Sequence, residues 1–432
     1  MPERAALDGS AGQSQKDKLV DPFSTSAKYG AELSKSTARL TIRPSEEQAL
    51  LKTEFSVHAP GELVALGDGW SFLPDNLPPE LSPSWELHRL DERARGALGE
   101  FIGRARTIDN DLLITNPLIT REAVESNKIE NTITKARDVL LQEAGESPAD
   151  PEAARDVREV LQYRHTVALG AYELTRGRPL SLHLIQSLHQ ELLKGTRGAN
   201  KNPGRFRKEP VLIGTKTDTY ATARFVPAPW EQVPALMDRL VEFASGEGSY
   251  SPLISAALLH YQLESIHPFE DGNGRLGRLL IPLYLLSRGV VDRPIIYLSA
   301  YFEATRAEYI QRLKAVSTGG DWHGWVGYFL RAVEAQATDS LRRAKLVSQL
   351  YESYRAKARA NARTKATLAA VDVVMEKVIV SAQDVVAYAS CSLNTAKAAM
   401  ENLQEVGIVS AVPRSWPARW WSQELLDRLY ES

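Results

Sequence analysis

The sequence predicts a mainly α protein with a small β-hairpin flap and a mixed α+β module at its C-terminal end. Three observations lead there. Long stretches place apolar residues at helical spacing, the runs that read as strands are short, and Ser, Pro and Gly fall where helices should start and stop. At 432 residues with 43% hydrophobic content, the chain is long enough for two or three domains with full cores.

Met1 to Arg43 is rich in Ser, Ala, Lys and Gly without sustained periodicity, the composition of a disordered tail. From Pro44 to Glu86 short apolar runs alternate with Gly and Pro, including Pro74, Pro78, Pro79 and Pro83, which predicts irregular packing on a helical core. Leu87 to Ile133 reads as largely helical, with one stretch over Thr120 to Ile133, so residues 44–150 form an N-terminal helical region. Residues 151–335 carry the central helices. Within them Val211–Gly214 and Ala223–Val226 are short apolar strands bracketing polar Thr215 to Thr222, the pattern of a β-hairpin. Pro252 to Ile266 spreads Leu253, Ile254, Ala257, Leu258, Tyr261 and Leu263 over helix faces, and Pro268 disfavours helical geometry at His267. Helix resumes from Asn273 to Arg288; its apolar run Leu279 to Leu286 implies burial at the centre, with a kink at Pro282.

Residues 336–365 read as a linker helix at the end of a long helical stretch from Trp325, with a basic, solvated face. In residues 366–432 Ser381 caps a short helix to Tyr388 and Ser392 caps a second to Glu405. Gly407, an Ile408 to Val412 strand and a Trp416 to Trp421 return follow. Helix, turn, helix and hairpin in that order resemble a winged-helix domain.

Residues 267 to 278 read His-Pro-Phe-Glu-Asp-Gly-Asn-Gly-Arg-Leu-Gly-Arg. No structural element needs that mixture, and a chance match to its informative positions in one chain is on the order of 10⁻⁹ at average residue usage. Gly272 through Gly274 can point successive backbone N–H groups inward, at the positive end of the helix that follows, where a phosphate would sit. Arg275 and Arg278, three apart on that helix, offer planar forks to further phosphate oxygens. Asp271 adds a hard oxygen ligand beside them, and Mg²⁺ typically binds through one carboxylate plus phosphate oxygens and waters. His267, with a near-neutral reference pKa, is suited to take a proton from an attacking hydroxyl, a contribution of about 10²–10⁴ in rate. Phe269, between polar positions, should turn inward and pin the loop.

With no departures, this stretch resembles the signature His267-Pro-Phe-x-Asp-Gly-Asn-Gly-Arg-x-x-Arg278 of the Fic family of AMP transferases. Similarity runs over roughly residues 90 to 330 and includes the Gly204-Arg-Phe-Arg207 and Tyr297-Leu-Ser-x-Tyr-Phe302 segments. The resemblance implies a helical domain that moves AMP from ATP onto a Ser, Thr or Tyr hydroxyl of a target protein, or of the chain itself, releasing pyrophosphate. It implies His267 as base, Asp271 as Mg²⁺ ligand, and Gly272, Asn273, Gly274, Arg275 and Arg278 as phosphate binders. Gly274 stands where the branch that phosphorylates its target carries lysine.

By periodicity alone, Ser126-Asn-Lys-Ile-Glu130-Asn131 is an ordinary amphipathic helix with a solvated glutamate. It also resembles the family's inhibitory helix, Ser/Thr-x-x-x-Glu-Gly/Asn, placed on the N-terminal side of the catalytic domain. The resemblance implies that Glu130 pairs with Arg278 and displaces the ATP γ-phosphate. Breaking such a buried pair typically costs roughly 3–5 kcal/mol, enough to suppress activity by about two to three orders of magnitude. The same carboxylate can orient water to remove AMP again, so a two-way enzyme is the alternative. The resemblance further puts the hairpin over the site, with Ile213, Gly214 and Thr215 receiving the target's loop by strand addition, and Tyr309 in the adenine pocket. The plainer readings are a fold element and a core aromatic.

A net charge of −2 gives no field for nucleic acid or membrane. The second helix of the C-terminal module carries Lys397 against Glu401 and Glu405. DNA binding through Asn394, Thr395 and the wing residues Arg414 and Arg419 is therefore less favoured than target recruitment or homodimer spacing. The single cysteine, Cys391, excludes an internal disulfide and fits a reducing compartment. No run of about 18 apolar residues exists, and Met1 to Val20 lacks a secretory h-region, so the expectation is a soluble, cytoplasmic protein. The eight histidines include no His-Glu-x-x-His spacing, which leaves a metal-hydrolase reading unsupported. Two classes compete, an autoinhibited protein AMP-transferase and a nucleotide-sensing winged-helix transcriptional regulator. An intact His267 and Asp271 favour the first.

Overall fold

The computed structural model describes residues 52–430 apart from positions 109, 111, 216, 363 and 414. The tail expected over Met1 to Arg43 and the wing residue Arg414 lie outside the described residues. Where the Gly and Pro punctuation predicts irregular chain, there is instead an antiparallel hairpin, β1 (Gly61–Leu66) with β2 (Gly69–Pro74). Gly67 takes φ 57° in the two-residue turn, a geometry glycine adopts without steric penalty. Phe72 buries one face of β2 against the Phe225 ring, 5.9 Å away.

Helix α1 (Trp85–Ala105) is capped by Ser84, whose hydroxyl accepts the Leu87 N–H at 3.3 Å. Helix α2 (Leu112–Ile129) ends before the boundary that spacing predicts, because Asn131 adopts φ 64°. The Asn131 N–H donates to Lys128 O (2.9 Å) and the Thr132 N–H to Asn127 O (3.0 Å). These are the two bonds of a Schellman turn with Glu130 as its cap residue, and asparagine after glycine is the residue that accepts the left-handed position most readily. Glu130 therefore stands on a terminating turn rather than within a helix.

Six helices of the central region follow: α3 (Ala136–Glu143), α4 (Pro151–Thr175), α5 (Leu182–Leu192), α6 (Val233–Ser245), α7 (Pro252–Ile266) and α8 (Asn273–Ser287). α7 and α8 bury nearly every position, and Pro282 is accommodated inside α8. Short α9 (Ser299–Ala304) and α10 (Arg306–Gly319) complete the walls. Between α5 and α6 the strands expected over Val211–Gly214 and Ala223–Val226 reduce to one antiparallel pair, Ile213 with Phe225, at 2.9 and 3.1 Å. The connecting loop is closed by side chains instead: Asp218 accepts the Thr215 N–H and Thr222 accepts the Thr219 N–H. Such bonds compete with a ladder. The outer edge of the pair leans on β2, where the Phe72 N–H donates to Val226 O at 3.0 Å.

Helix α11 (Trp322–Asn361) runs 40 residues without interruption, about 60 Å. Its first half packs on α1 and α7 around Trp325, Tyr328, Tyr261 and Phe302, all fully buried. Its second half enters a separate core with α12 (Ala366–Lys377), α13 (Ala382–Ala389), α14 (Leu393–Glu405) and α15 (Gln423–Leu429). Strands β3 (Ile379–Ser381), β4 (Ser410–Ala411) and β5 (Arg419–Trp421) form an antiparallel sheet of order β3-β5-β4. Ser381 and Ser392 cap α13 and α14 as the sequence predicts; β3 and α15 carry no signal in it. Leu113 of α2 and Leu140 of α3 belong to this second core, so α2 is rooted there at one end and reaches the first core at the other. Among the described residues, no helix is long and apolar enough to cross a membrane.

The buried Trp325 indole N–H donates to Ala257 O at 2.9 Å. Trp325→Phe removes that side-chain donor and part of a fully buried ring and should destabilise the chain by about 1–3 kcal/mol, read as a lower denaturant midpoint; an unchanged midpoint would contradict this account of the core.

Candidate active site

The site is built on the junction between α7 and α8. Pro268 keeps His267 out of helical geometry, and His267 caps α7 in the left-handed region at φ 50°, its N–H donating to Leu263 O. Buried Arg207 holds the exposed helix end from below. Its guanidinium donates to the carbonyls of Ile266 (3.2 Å), His267 (2.8 Å) and Ala228, and its own N–H to Pro268 O (2.9 Å). A cation at carbonyls that have lost their helical donors is favourable both as a hydrogen-bond partner and toward the helix dipole.

The loop between the helices is tied at three further points. Phe269 turns inward, as its place in the sequence predicts, and stacks on His189 with centroids 3.7 Å apart. His189 accepts the Gly204 N–H at Nδ1 (2.8 Å), so it carries its proton on Nε2, which donates to Asp271 O (2.8 Å). Only neutral imidazole can do both. The Asn273 side chain accepts the Phe269 N–H (2.9 Å) and donates to Phe269 O (2.8 Å). Expected as an anion contact, the Asn273 side chain is thus engaged with the loop, and what it presents to the recess is backbone.

Gly272, at φ 78°, turns the chain into α8, whose first intrahelical bond is Leu276 N–H to Gly272 O. The N–H groups of Asn273, Gly274 and Arg275 precede it and have no intrahelical acceptor. They face a recess of about 440 Å³ lined by Glu130, Ile213, Gly214, His267, Asp271 and Tyr309 together with Gly272, Gly274, Arg278 and Asn131. Three expected residues stand outside it. Ser126 is bonded to Arg278, Arg275 to Asp271 and Glu159, and exposed Thr215 to Asp218 within the loop. Tyr309 is buried, its hydroxyl bonded to His260 Nε2 (2.9 Å) and its ring stacked on Phe302 (4.7 Å), so it offers the recess only part of its ring.

Arg278, 3% exposed, donates to Ser126 Oγ (2.9 Å), Ser126 O (2.9 Å) and Glu130 Oε1 (2.7 Å). Burial alone would raise the Glu130 carboxyl, but Arg278 outweighs it and holds the group below the usual carboxylate range. The pairing is one-sided: 42% of the Glu130 side chain is exposed. Solvent screens a half-open pair, so the two to three orders expected of a buried one become about one to two. A Cβ at Gly274 would come within 2.4 Å of Glu130 Oε1, which is why this position of the cradle bears no side chain. Four residues before Ser126, Glu122 fixes the same face of α2. It accepts from Tyr163 (2.9 Å), Ser299 Oγ (2.6 Å) and Ser299 N–H (3.0 Å).

Beneath the cradle runs a chain of alternating charge. Asp271 Oδ1 lies 3.5 Å from Arg275, which lies 3.5 Å from Glu159; Glu159 accepts from Arg197 at 2.8 Å, and Arg197 donates to Asp156 at 2.7 Å. Arg197 also donates to Thr132 Oγ1 (2.9 Å), which in turn donates to Glu159 (3.2 Å). The segment just after Glu130 is thereby clasped by the acid that orients Arg275. Arg275 Nε is buried without a partner among the described residues. Among those residues no group of three or more His, Cys, Asp or Glu is placed to hold a metal. A single carboxylate, Asp271, beside an anion cradle fits Mg²⁺ shared with phosphate rather than a metal held by protein alone.

His189, Thr132, Glu159 and Arg197 carry no sequence signal of these roles, since each is one polar residue in an amphipathic or loop context and its partners lie far away in the chain. Arg207 falls in a segment singled out by resemblance, without its role.

Residues 88–171 match the family model described as Fic/DOC family N-terminal, and residues 179–285 match that of the Fic/DOC family. The chain is 32% identical over 161 residues to the protein adenylyltransferase fic-1 of Caenorhabditis elegans, covering 36% of this chain and 28% of that protein. It is 30% identical over 152 residues to a probable protein adenylyltransferase of Aquifex aeolicus, covering 35% of this chain and 42% of that one. The chain therefore spans less than half the length of these curated relatives. A solved Fic family protein from Desulfovibrio desulfuricans shares the fold, with TM-score 0.51 and 19% identity over 80% of this chain and 98% of the other.

Burial and then Arg207 push the His267 imidazole down to about 4, and burial pushes His260 down to about 3. The folded pKa of each base lies below its unfolded value near 6.5. Their contribution to stability is therefore complete above about pH 6.5 and declines as pH falls toward 4 and below. Imidazole ¹⁵N shifts at about pH 5.5 should show both rings neutral, with the His267 proton on Nδ1, where Glu264 O accepts it at 3.3 Å. A charged His267 at that pH would refute the burial.

Proposed function

The chain belongs to the Fic/DOC family, and from that premise we propose that it transfers AMP from ATP to a Ser, Thr or Tyr hydroxyl of a protein, under restraint by Glu130. The observation that carries this reading is the convergence on one recess of the His267 imidazole, the N-terminal end of α8 and the Asp271 carboxylate. The curated relatives named as adenylyltransferases support it.

The cradle of Asn273, Gly274 and Arg275 N–H groups at the turn of Gly272, with the Arg275 guanidinium below and Arg278 beside it, receives the polyphosphate and neutralises charge that grows on the leaving group. When bound, Mg²⁺ at Asp271 would add charge stabilisation at the phosphates. The acceptor enters under the flap at Ile213, Gly214 and Thr215, whose single ladder pair leaves backbone groups open to strand addition. Its hydroxyl proton passes to His267 Nε2 as the oxygen bonds to the α-phosphorus. The bond from that phosphorus to the bridging oxygen breaks, and pyrophosphate departs. Tyr309 and its neighbours on α10 wall the side where the base would lie.

We read residues 366–432 as a winged-helix contact module. Of its two wing arginines, Arg419 is buried and bonded to Glu146, which supports recruitment of protein over DNA. A reducing, cytoplasmic compartment suits a chain with one cysteine.

AMP incorporation from α-labelled ATP with Mg²⁺ tests the proposal. Glu130→Gly should raise labelling about ten- to a hundredfold, and adding His267→Ala should remove at least about a hundredfold. Labelling that survives His267→Ala would end the role of that base, and none in any form would end the transferase reading. Thr132→Val should unclasp the latch and raise labelling severalfold while Glu130 is present, yet change nothing in Glu130→Gly. An equal effect in both backgrounds would show that Thr132 acts only on general stability.

A further inference from the structure

Two buried glutamates flank the recess, and they are satisfied very differently. Glu122 accepts three hydrogen bonds and is structurally complete. Glu264, one turn before His267 on α7, has a side chain only 14% exposed, and its Oε1 has no partner among the described residues. Leaving a buried carboxylate oxygen unpaired is unfavourable, so its retention here calls for a role other than packing. Gly277 makes room for it, since a Cβ there would lie 2.6 Å from Oε1. The other oxygen, Oε2, lies 4.0 Å from His267 Nδ1, whose proton goes to the Glu264 main-chain carbonyl at 3.3 Å. One residue thus addresses the same ring nitrogen twice.

We propose that Glu264 is a positioning residue for His267: its carboxylate secures the Nδ1 side of the ring and stabilises the imidazolium formed when Nε2 takes the acceptor's proton. The inference rests on His267 being the base. A carboxylate facing the far nitrogen of a catalytic imidazole fixes its tautomer and favours its protonated form. The other groups facing Glu264 are His260 on its own helix, 4.0 Å from Oε1, Arg278 of α8, Glu130 beyond α2 and Tyr309 of α10. Burial pushes the carboxyl up to about 7, with Arg278 opposing and Glu130 adding to the rise. Glu264 is therefore ionised above about pH 7, in the range where His267 must accept its proton.

The test compares Glu264→Gln with Glu264 in the Glu130→Gly chain, following AMP transfer from pH 5 to 9 alongside thermal midpoint and ATP affinity. Glutamine keeps the shape and removes the charge. Loss of an opposite charge at this distance is worth about one pKa unit or more, roughly tenfold. In the parent chain kcat should therefore fall at or below about pH 7 as Glu264 becomes neutral, and Glu264→Gln should remove that acid limb and leave kcat at higher pH about tenfold lower, with KM for ATP unchanged. If Glu264→Gln fails to fold, Glu264→Asp takes its place; it withdraws the charge by one methylene and should give a smaller loss of kcat at higher pH. An unmoved acid limb with unchanged kcat in either folded variant overturns the proposal, as does a loss confined to KM or thermal midpoint. Full transfer by His267→Ala would instead overturn the base assignment.

Discussion

A guanidinium cannot shed its proton to escape burial, and Arg278 is almost entirely removed from water. Much of the architecture around it follows from supplying that charge with acceptors. Ser126 gives both its hydroxyl and its carbonyl, Glu130 gives a carboxylate, and α2 must lie where all three can reach. Glu122 ties the same helix face to α9 and α4, while Gly274 keeps the approach open. Any phosphate entering the recess competes for the same cation. On the proposed function, exclusion is then a matter of one charge and two anions, with no need for the helix to block the cavity by bulk.

Around that charge the site divides into a rigid part and a yielding part. The loop from His267 to Asn273 is bonded by Arg207, His189 and its own asparagine, so His267 and Asp271 are held in place before any ligand arrives. The yielding part is the turn at Glu130, whose side chain is half in solvent, and Thr132, two residues on, is clasped by Arg197 and Glu159. Because Glu159 also touches Arg275, holding the turn and orienting the cradle draw on the same acid.

Sequence made the chemistry legible where it is local. Residues 267–278 are contiguous, so helix end, glycine turn, cradle and base could all be placed from one stretch, and the serine caps of α13 and α14 are equally local. What escaped reading depends on partners far away. The β1–β2 hairpin looked irregular because its Gly and Pro content masks strands that one buried ring, Phe72, secures. The flap shrank to one pair because Asp218 and Thr222 bond the loop in place of a ladder. The end of α2 turned on a left-handed asparagine that apolar spacing does not register. Asn273 was legible as a site residue, yet its side chain proved to serve the loop. Glu159 and Arg197 acquire meaning only once the fold brings them to Arg275 and Thr132, and Glu264, one turn from His267, escaped because spacing gives no sign that its carboxylate is buried.

The position of Glu130 on a helix-terminating turn also has a kinetic side. Local rearrangement at a helix end takes on the order of nanoseconds to microseconds, whereas enzymes of ordinary speed turn over on the order of 1–10³ times a second. On the proposed function, the turn would have time to open and close many times within each catalytic cycle. Restraint of this kind produces no lag and no memory of earlier ligands. It multiplies the apparent nucleotide affinity by the fraction of time the turn stands open, which makes the restraint a graded setting rather than a slow gate.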